Sequence, residues 1–169
     1  EYGNVDAGNG VGTICGVASG ECLFENITVR NCDLCGYILN IGAVCGAVVE
    51  GDVTFKNIRV EDTVKMHTWY GSPDTQIGGI VGVIDIQPGA KHGLATSHVT
   101  FENCYIACEM QDWTRSVGML CGGFTVDHAD TIWNNCSAVT RAQMEEAITC
   151  TNVEVHYGTW NAWGFDMLI

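Results

Sequence analysis

The run Val53-Thr54-Phe55-Lys56 alternates apolar and polar side chains, the period of a strand with one buried face. Ile58-Arg59-Val60 alternates in the same way but out of phase, because Asn57 stands between two in-facing residues. An Asn that resets the alternation reads as a corner, since its short polar side chain tolerates a bend and can bond nearby backbone. The predicted unit is strand, Asn corner, strand. It recurs as C-L-F-E-N-I-T-V (Cys22–Val29), V-T-F-E-N-C-Y-I (Val99–Ile106), T-I-W-N-N-C-S-A (Thr131–Ala138) and I-T-C-T-N-V-E-V (Ile148–Val155). Stacked, the copies predict a ladder of corner residues, Asn26, Asn57, Asn103, Asn135 and Asn152. Beside it they predict an aromatic ladder of Phe24, Phe55, Phe101 and Trp133.

A second phrase precedes the first. It reads G-T-I-C-G-V-A from Gly12, G-A-V-C-G-A-V from Gly42, G-G-I-V-G-V-I from Gly78 and G-M-L-C-G-G-F from Gly118. These runs are apolar on both sides, as expected of strands covered on both faces. Their inner glycines, Gly16, Gly46, Gly82 and Gly122, mark places where another backbone comes close. The phrases lie 30, 36 and 40 residues apart, a period typical of stacked repeats.

The expectation is an all-β chain: a parallel β-solenoid of four to five irregular coils forming one domain over 1–169. Its repeats fall near 12–34, 42–64, 78–108 and 118–139, with a partial one at 148–155. The alternative is a β-sandwich of hairpins, suggested by the tight link across Val48–Phe55. Residues 65–76 and 109–116 read as linkers, Asp85–Ser97 as a long excursion, and Thr140–Ala147 as a short helix. The tail from His156 to Ile169, with Trp160, Trp163 and Phe165, is expected to close that end or dock on a neighbour.

Charge narrows the choice of partners. Seven Lys and Arg against twenty Asp and Glu give a net charge of −13. That argues against nucleic acid and against an anionic membrane surface. No run approaches the ~20 apolar residues of a membrane span, so no membrane insertion is expected. The opening E-Y-G-N-V carries no signal peptide and is compatible with a processed or excerpted chain. Ten Cys suggest an oxidising compartment, outside the cell or at its surface.

Repeat register brings some cysteines together. Cys15 and Cys45 share one position of the Gly phrase, and Cys104 and Cys136 share one after the corner. Neighbouring coils lie about 4.8 Å apart, within disulfide Cα separations of about 4.4–6.8 Å. Both pairs are therefore disulfide candidates across coils, strained by parallel side-chain directions, and Cys32 with Cys35 is a local one. Reduced core cysteines are the alternative. Zinc on Cys32, Cys35, Cys104 and Cys108 is disfavoured by their distance in repeat register, and no metal or cofactor is expected.

The sequons at Asn26 and Asn135 are glycosylation candidates, unless the corner side chains turn inward. The carboxylate pairs Glu61-Asp62, Asp127 with Asp130, and Glu145-Glu146 match no repeat position, so no catalytic residue is assigned and no enzyme is expected. Trp69, Tyr70 and Trp113 are the binding candidates, as loop aromatics that stack on sugars or anchor proteins.

Together, G-G-I-V-G (Gly78–Gly82) and V-T-F-E-N-C (Val99–Cys104) resemble the GLUG-type and related Gly-rich β-solenoid repeats of large secreted or surface proteins. The resemblance covers most of the chain from Gly12 to Val155. It implies adhesion, matrix or fibre roles and carries over no catalytic residue. The functional expectation is an extracellular structural protein that self-associates through solenoid ends and apolar strand faces into a homo-oligomer, filament or surface layer. The alternative is a glycan- or protein-binding module of a larger adhesin.

Overall fold

The computed structural model describes residues 10–36, 40–68, 75–85, 97–111, 116–125 and 147–156. Within them the chain winds through four parallel sheets, each receiving at most one strand per coil. The first sheet holds β1 (Gly10–Val11), β5 (Asn40–Gly42), β9 (Gln76–Gly78) and β13 (Ser116–Gly118). The second holds β2 (Cys15–Ser19), β6 (Cys45–Glu50), β10 (Val81–Asp85) and β14 (Cys121–Thr125). The third holds β3 (Cys22–Val29), β7 (Asp52–Val60), β11 (His98–Ile106) and β15 (Ile148–Val155). The fourth holds β4 (Asp33–Gly36), β8 (Lys65–Thr68) and β12 (Glu109–Gln111).

This is the parallel β-solenoid expected from the repeats. A hairpin sandwich would need antiparallel neighbours, whereas every described pairing is parallel. The tight link at Gly51 joins β6 to β7, which lie in different sheets. Gly51 makes that corner at φ +99°, where a side chain would meet the Gly20 backbone.

The Asn corner has a simple geometry. Asn26, Asn57, Asn103 and Asn152 adopt φ of 58°, 53°, 52° and 54°, the left-handed region that Asn tolerates better than most residues. One such residue resets the pleat without ending the strand. Val53 and Phe55 before it and Ile58 and Val60 after it are therefore all buried, while Asn57 and Arg59 are exposed.

The corner side chain does not turn inward to local backbone. It stays exposed and bonds the next coil. Asn57 Nδ2 donates to Asn26 Oδ1 at 2.8 Å, Asn103 to Asn57 at 3.1 Å, and Asn152 to Asn103 at 2.7 Å. Register follows the ladder, with Phe24, Phe55 and Phe101 aligned. Their rings stack at 5.0 and 5.4 Å.

The fourth rung of the third sheet departs from expectation. β11 pairs directly with β15, so the neighbour of Phe101 is Cys150 and that of Cys104 is Val153. The copy containing Trp133, Asn135 and Cys136 lies outside the described residues, as do Thr140–Glu146 of the expected helix and residues 157–169 of the tail.

Two other expectations are corrected. The Gly phrase is two strands around a bend, not one strand: β5 ends at Gly42 and β6 begins at Cys45. The leading glycine permits this fold-back, since a Cβ on Gly42 would stand 2.1 Å from the Cys45 carbonyl. The presumed linkers 65–76 and 109–116 open with β8 and β12. Leu34, Met66 and Met110 line up there and are buried, closing the fourth side of the core.

The inner glycines do receive backbone. A Cβ on Gly46 would lie 2.4 Å from Val11 N, one on Gly82 2.6 Å from Ile41 N, and one on Gly122 2.6 Å from Ile77 N. In each case the second strand of a coil presses on the first strand of the coil before. The remaining interior is aliphatic and aromatic, with Phe55, Phe101, Ile41, Ile58, Ile77, Ile84 and Leu120 fully enclosed. Each such side chain contributes roughly 1.5–3 kcal/mol by leaving water.

Candidate functional site

The loop aromatics Trp69, Tyr70 and Trp113 lie outside the described residues. So do the carboxylates Asp127, Asp130, Glu145 and Glu146; Glu61 and Asp62 sit at the turn between β7 and β8. Among the described residues no three of His, Cys, Asp and Glu gather as a metal site. No helix among them is long and apolar enough to cross a membrane.

The cysteines come into register without bonding. Cys15 and Cys45 are Cα partners on β2 and β6, and Cys15 lies beside the Cys45 thiol. Yet no disulfide joins any of the described cysteines. The physical reason is the shared direction of the two side chains. Cys15 Sγ donates to Val17 O at 3.0 Å and Cys45 Sγ to Ala47 O at 3.1 Å, each two residues along its own strand.

Cys32 and Cys35 fail as a local pair for a different reason. Leu34 is buried and Asp33 exposed, so three positions of alternation put Cys32 and Cys35 on opposite sides. Cys32 instead packs against the core, where its charge would act on buried Cys108. Cys104 is buried opposite Val153, and Cys136 lies outside the described residues.

These thiols are small apolar residues. Burial pushes Cys45 and Cys108 from the ordinary thiol value near 9 up to about 12. Burial also raises Cys32 and Cys104. A thiol held protonated is a poor nucleophile and a poor metal ligand.

Charge on the outer face is matched coil by coil. Lys56 Nζ meets Glu102 at 3.2 Å, Lys65 Nζ meets Glu109 at 3.8 Å, and His67 Nε2 meets Asp33 at 2.8 Å. His98 bonds Asp52 at 3.1 Å. The Arg59 guanidinium lies 4.1 Å from the Tyr105 ring centroid, and His156 stands 4.9 Å away and bonds Glu154. Exposed pairs of this kind contribute about 0–1 kcal/mol each. Their effect is to order rows across coils, and the Tyr105 ring has neighbours in both adjoining coils.

The ends of the stack are where groups stand without neighbours. On the first coil, Ile14, Val17 and Leu23 are exposed at 57%, 45% and 63%. Phe24, the first ring of the stack, is half-buried where Phe55 and Phe101 are fully buried. On the last coil, Cys150 is exposed and Val153 and Val155 are half-buried, although their counterparts in β11 are buried. β2 and β3 form one margin of their sheets and β14 and β15 the other.

The Asn ladder ends in opposite groups. Every amide nitrogen donates toward the start of the chain, so Asn26 Nδ2 is left as a donor at one end and Asn152 Oδ1 as an acceptor at the other. Exposure also leaves the Asn26-Ile27-Thr28 sequon accessible. Asn135 lies outside the described residues. The sequence offered no direct sign of this polarity, because a ladder shows its direction only once its amides are placed. Compared with models of protein families, with curated proteins and with solved structures, the chain matches none.

Proposed function

We propose that this chain is an extracellular structural protein that self-associates through its solenoid ends into a fibre or surface layer. The observation that supports it is the pair of open margins. Among the described residues, in-facing positions are uncovered at both ends, and the strand edges there carry backbone groups able to template further pairing. Solenoids whose ends lack a polar cap associate for this reason. Ile14, Val17 and Leu23 are unusual residues to leave in water on a chain of net charge −13.

Placement outside the cell belongs to the same proposal. It draws on the acidic balance and on the resemblance to Gly-rich repeats of surface proteins. The described cysteines lend it no weight, since Cys45, Cys104, Cys108 and Cys121 are enclosed as small apolar side chains.

Electron microscopy and sedimentation of the purified chain over a rising concentration series test this reading. Filaments, or oligomers that grow with concentration, are expected. A monodisperse monomer at the highest concentration overturns it.

A further inference from the structure

Resting on the end-to-end reading above, we propose a specific junction between copies. The last coil of one copy seats on the first coil of the next in the register the coils use among themselves. β15 lies beside β3 of the following copy, and the β13 backbone lies on that copy's Gly16.

The Asn ladder sets the direction. Each described rung runs from an Nδ2 donor to the Oδ1 of the coil before. Among the described residues, the unused donor, on Asn26, and the unused acceptor, on Asn152, are at opposite ends. Stacking head to tail joins them and lengthens the ladder by one rung. Two copies meeting by their first coils would oppose two donors, and two meeting by their last coils would oppose two acceptors.

The glycine row adds an independent argument. Gly46, Gly82 and Gly122 each lie on the first strand of the coil before, at Gly10–Val11, Asn40–Ile41 and Ile77. Gly16 occupies the same position in the first coil, and a Cβ there would meet only Gly10 O, at 3.2 Å. At the other end, Ser116 and Val117 hold the register positions of Gln76 and Ile77. Among the described residues Gly16 thus has room for a backbone, and β13 is a first strand on which no described glycine lies.

Side chains across the junction are compatible. In this register Cys150 meets Phe24 and Val153 meets Ile27, so partly uncovered apolar groups cover one another, and Val155 meets the already buried Val29. Along the outward row, Glu25, Lys56 and Glu102 alternate in sign, and Thr151 would then meet the next Glu25. Glu154 would meet Thr28. No like charges meet between β15 and the next β3. A junction of unlike surfaces repeats without closing, which gives a polar filament.

Sedimentation velocity on the full chain, made without N-glycosylation so that Asn26 Nδ2 is free, tests the junction. Asn26→Asp keeps the oxygen that accepts from Asn57 and removes only the outward donor. It is expected to weaken association about tenfold at pH 7, the loss of roughly one hydrogen bond. It should recover relative to the unmodified chain near pH 3, below the ordinary Asp value of about 3.9, where the protonated carboxyl donates again. Gly16→Ala is expected to leave the fold intact and suppress association. Thr151→Lys, flanked by Glu102 and the next Glu25, should strengthen it, and Thr151→Glu should weaken it. If the chain assembles and these variants assemble equally well, the junction is wrong while end-to-end association stands. If the unmodified chain stays monomeric, its own residues or another protein cover the ends, and both proposals fall.

Discussion

Gly82 lies on the backbone of Ile41 one coil before it, so closely that a Cβ would stand 2.6 Å from the Ile41 amide nitrogen. The contact replaces side-chain packing with backbone packing between two sheets. Gly82→Ala should therefore lower stability by about 2 kcal/mol or more, because neither backbone can yield without disturbing its ladder. Gly16→Ala, at the matched position, should cost less than about 1 kcal/mol in the monomer, because only Gly10 O is near. Urea unfolding of both variants checks the contrast, and equal losses would contradict it.

At Asn57 the side chain and the backbone act together. Its φ is 53°, and its amide both donates to Asn26 and accepts from Asn103. Asn57→Ala loses both bonds and strains a residue with a Cβ, at about 2–4 kcal/mol in total. Asn57→Gly loses the bonds but keeps the conformation, and should cost about 1 kcal/mol less. The order of the two melting temperatures is the test. If Ala is the better tolerated, the left-handed corner is not what selects Asn.

Phe55 stacks between Phe24 and Phe101 with no exposed surface. Phe55→Ala should destabilise by about 3–5 kcal/mol through the cavity and the lost ring contacts. Phe24→Ala, at the half-buried end of the row, should cost clearly less. Denaturant midpoints for the pair distinguish a stacked core from a row of independent sites.

The buried thiols make stability fall in base. Cys45 and Cys108 titrate near 12 when folded, well above an unfolded thiol at about 8.5. Above that pH the unfolded chain binds fewer protons than the folded one, so the slope of stability with pH is negative. Below about pH 8 the contribution is fully present. Between about 9 and 12 it declines by roughly 1.4 kcal/mol per pH unit for each thiol. Replacing Cys45 and Cys108 by Ala should flatten that limb in pH-dependent urea melts. Iodoacetamide labelling followed by mass spectrometry should find Cys45, Cys104 and Cys108 protected until the protein unfolds.

Much of the scaffold was legible because its period is long and its grammar local. The phase reset at Asn57 identified the corner, and the recurrence of Gly46, Gly82 and Gly122 identified close backbone. The first and fourth sheets escaped notice because strands of two to four residues have no period to read. Leu34, Met66 and Met110 each stand as the single fully in-facing residue of such a strand, and only stacking makes a row of them. Pattern also could not choose between Thr131–Ala138 and Ile148–Val155 as the partner of β11, since both fit the same phrase. The Cys15–Cys45 register was right, but bonding depends on side-chain direction, which register does not specify. The ends were least legible of all. Ladder polarity resides in amide orientation, and the half-uncovered state of Phe24 depends on what is missing beside it.

The corner between the second and third strands of a coil has a practical meaning. It is made by Gly20-Glu21 in the first coil and by Gly51 alone in the second, while in the third twelve residues separate Asp85 of β10 from His98 of β11 in the sequence. Across that range of lengths the strands that follow keep one alignment, with Phe24, Phe55 and Phe101 level. Loop closure costs little more as such a connection lengthens. The corner is thus a port at which foreign peptides can be grafted, spaced one coil apart along the stack.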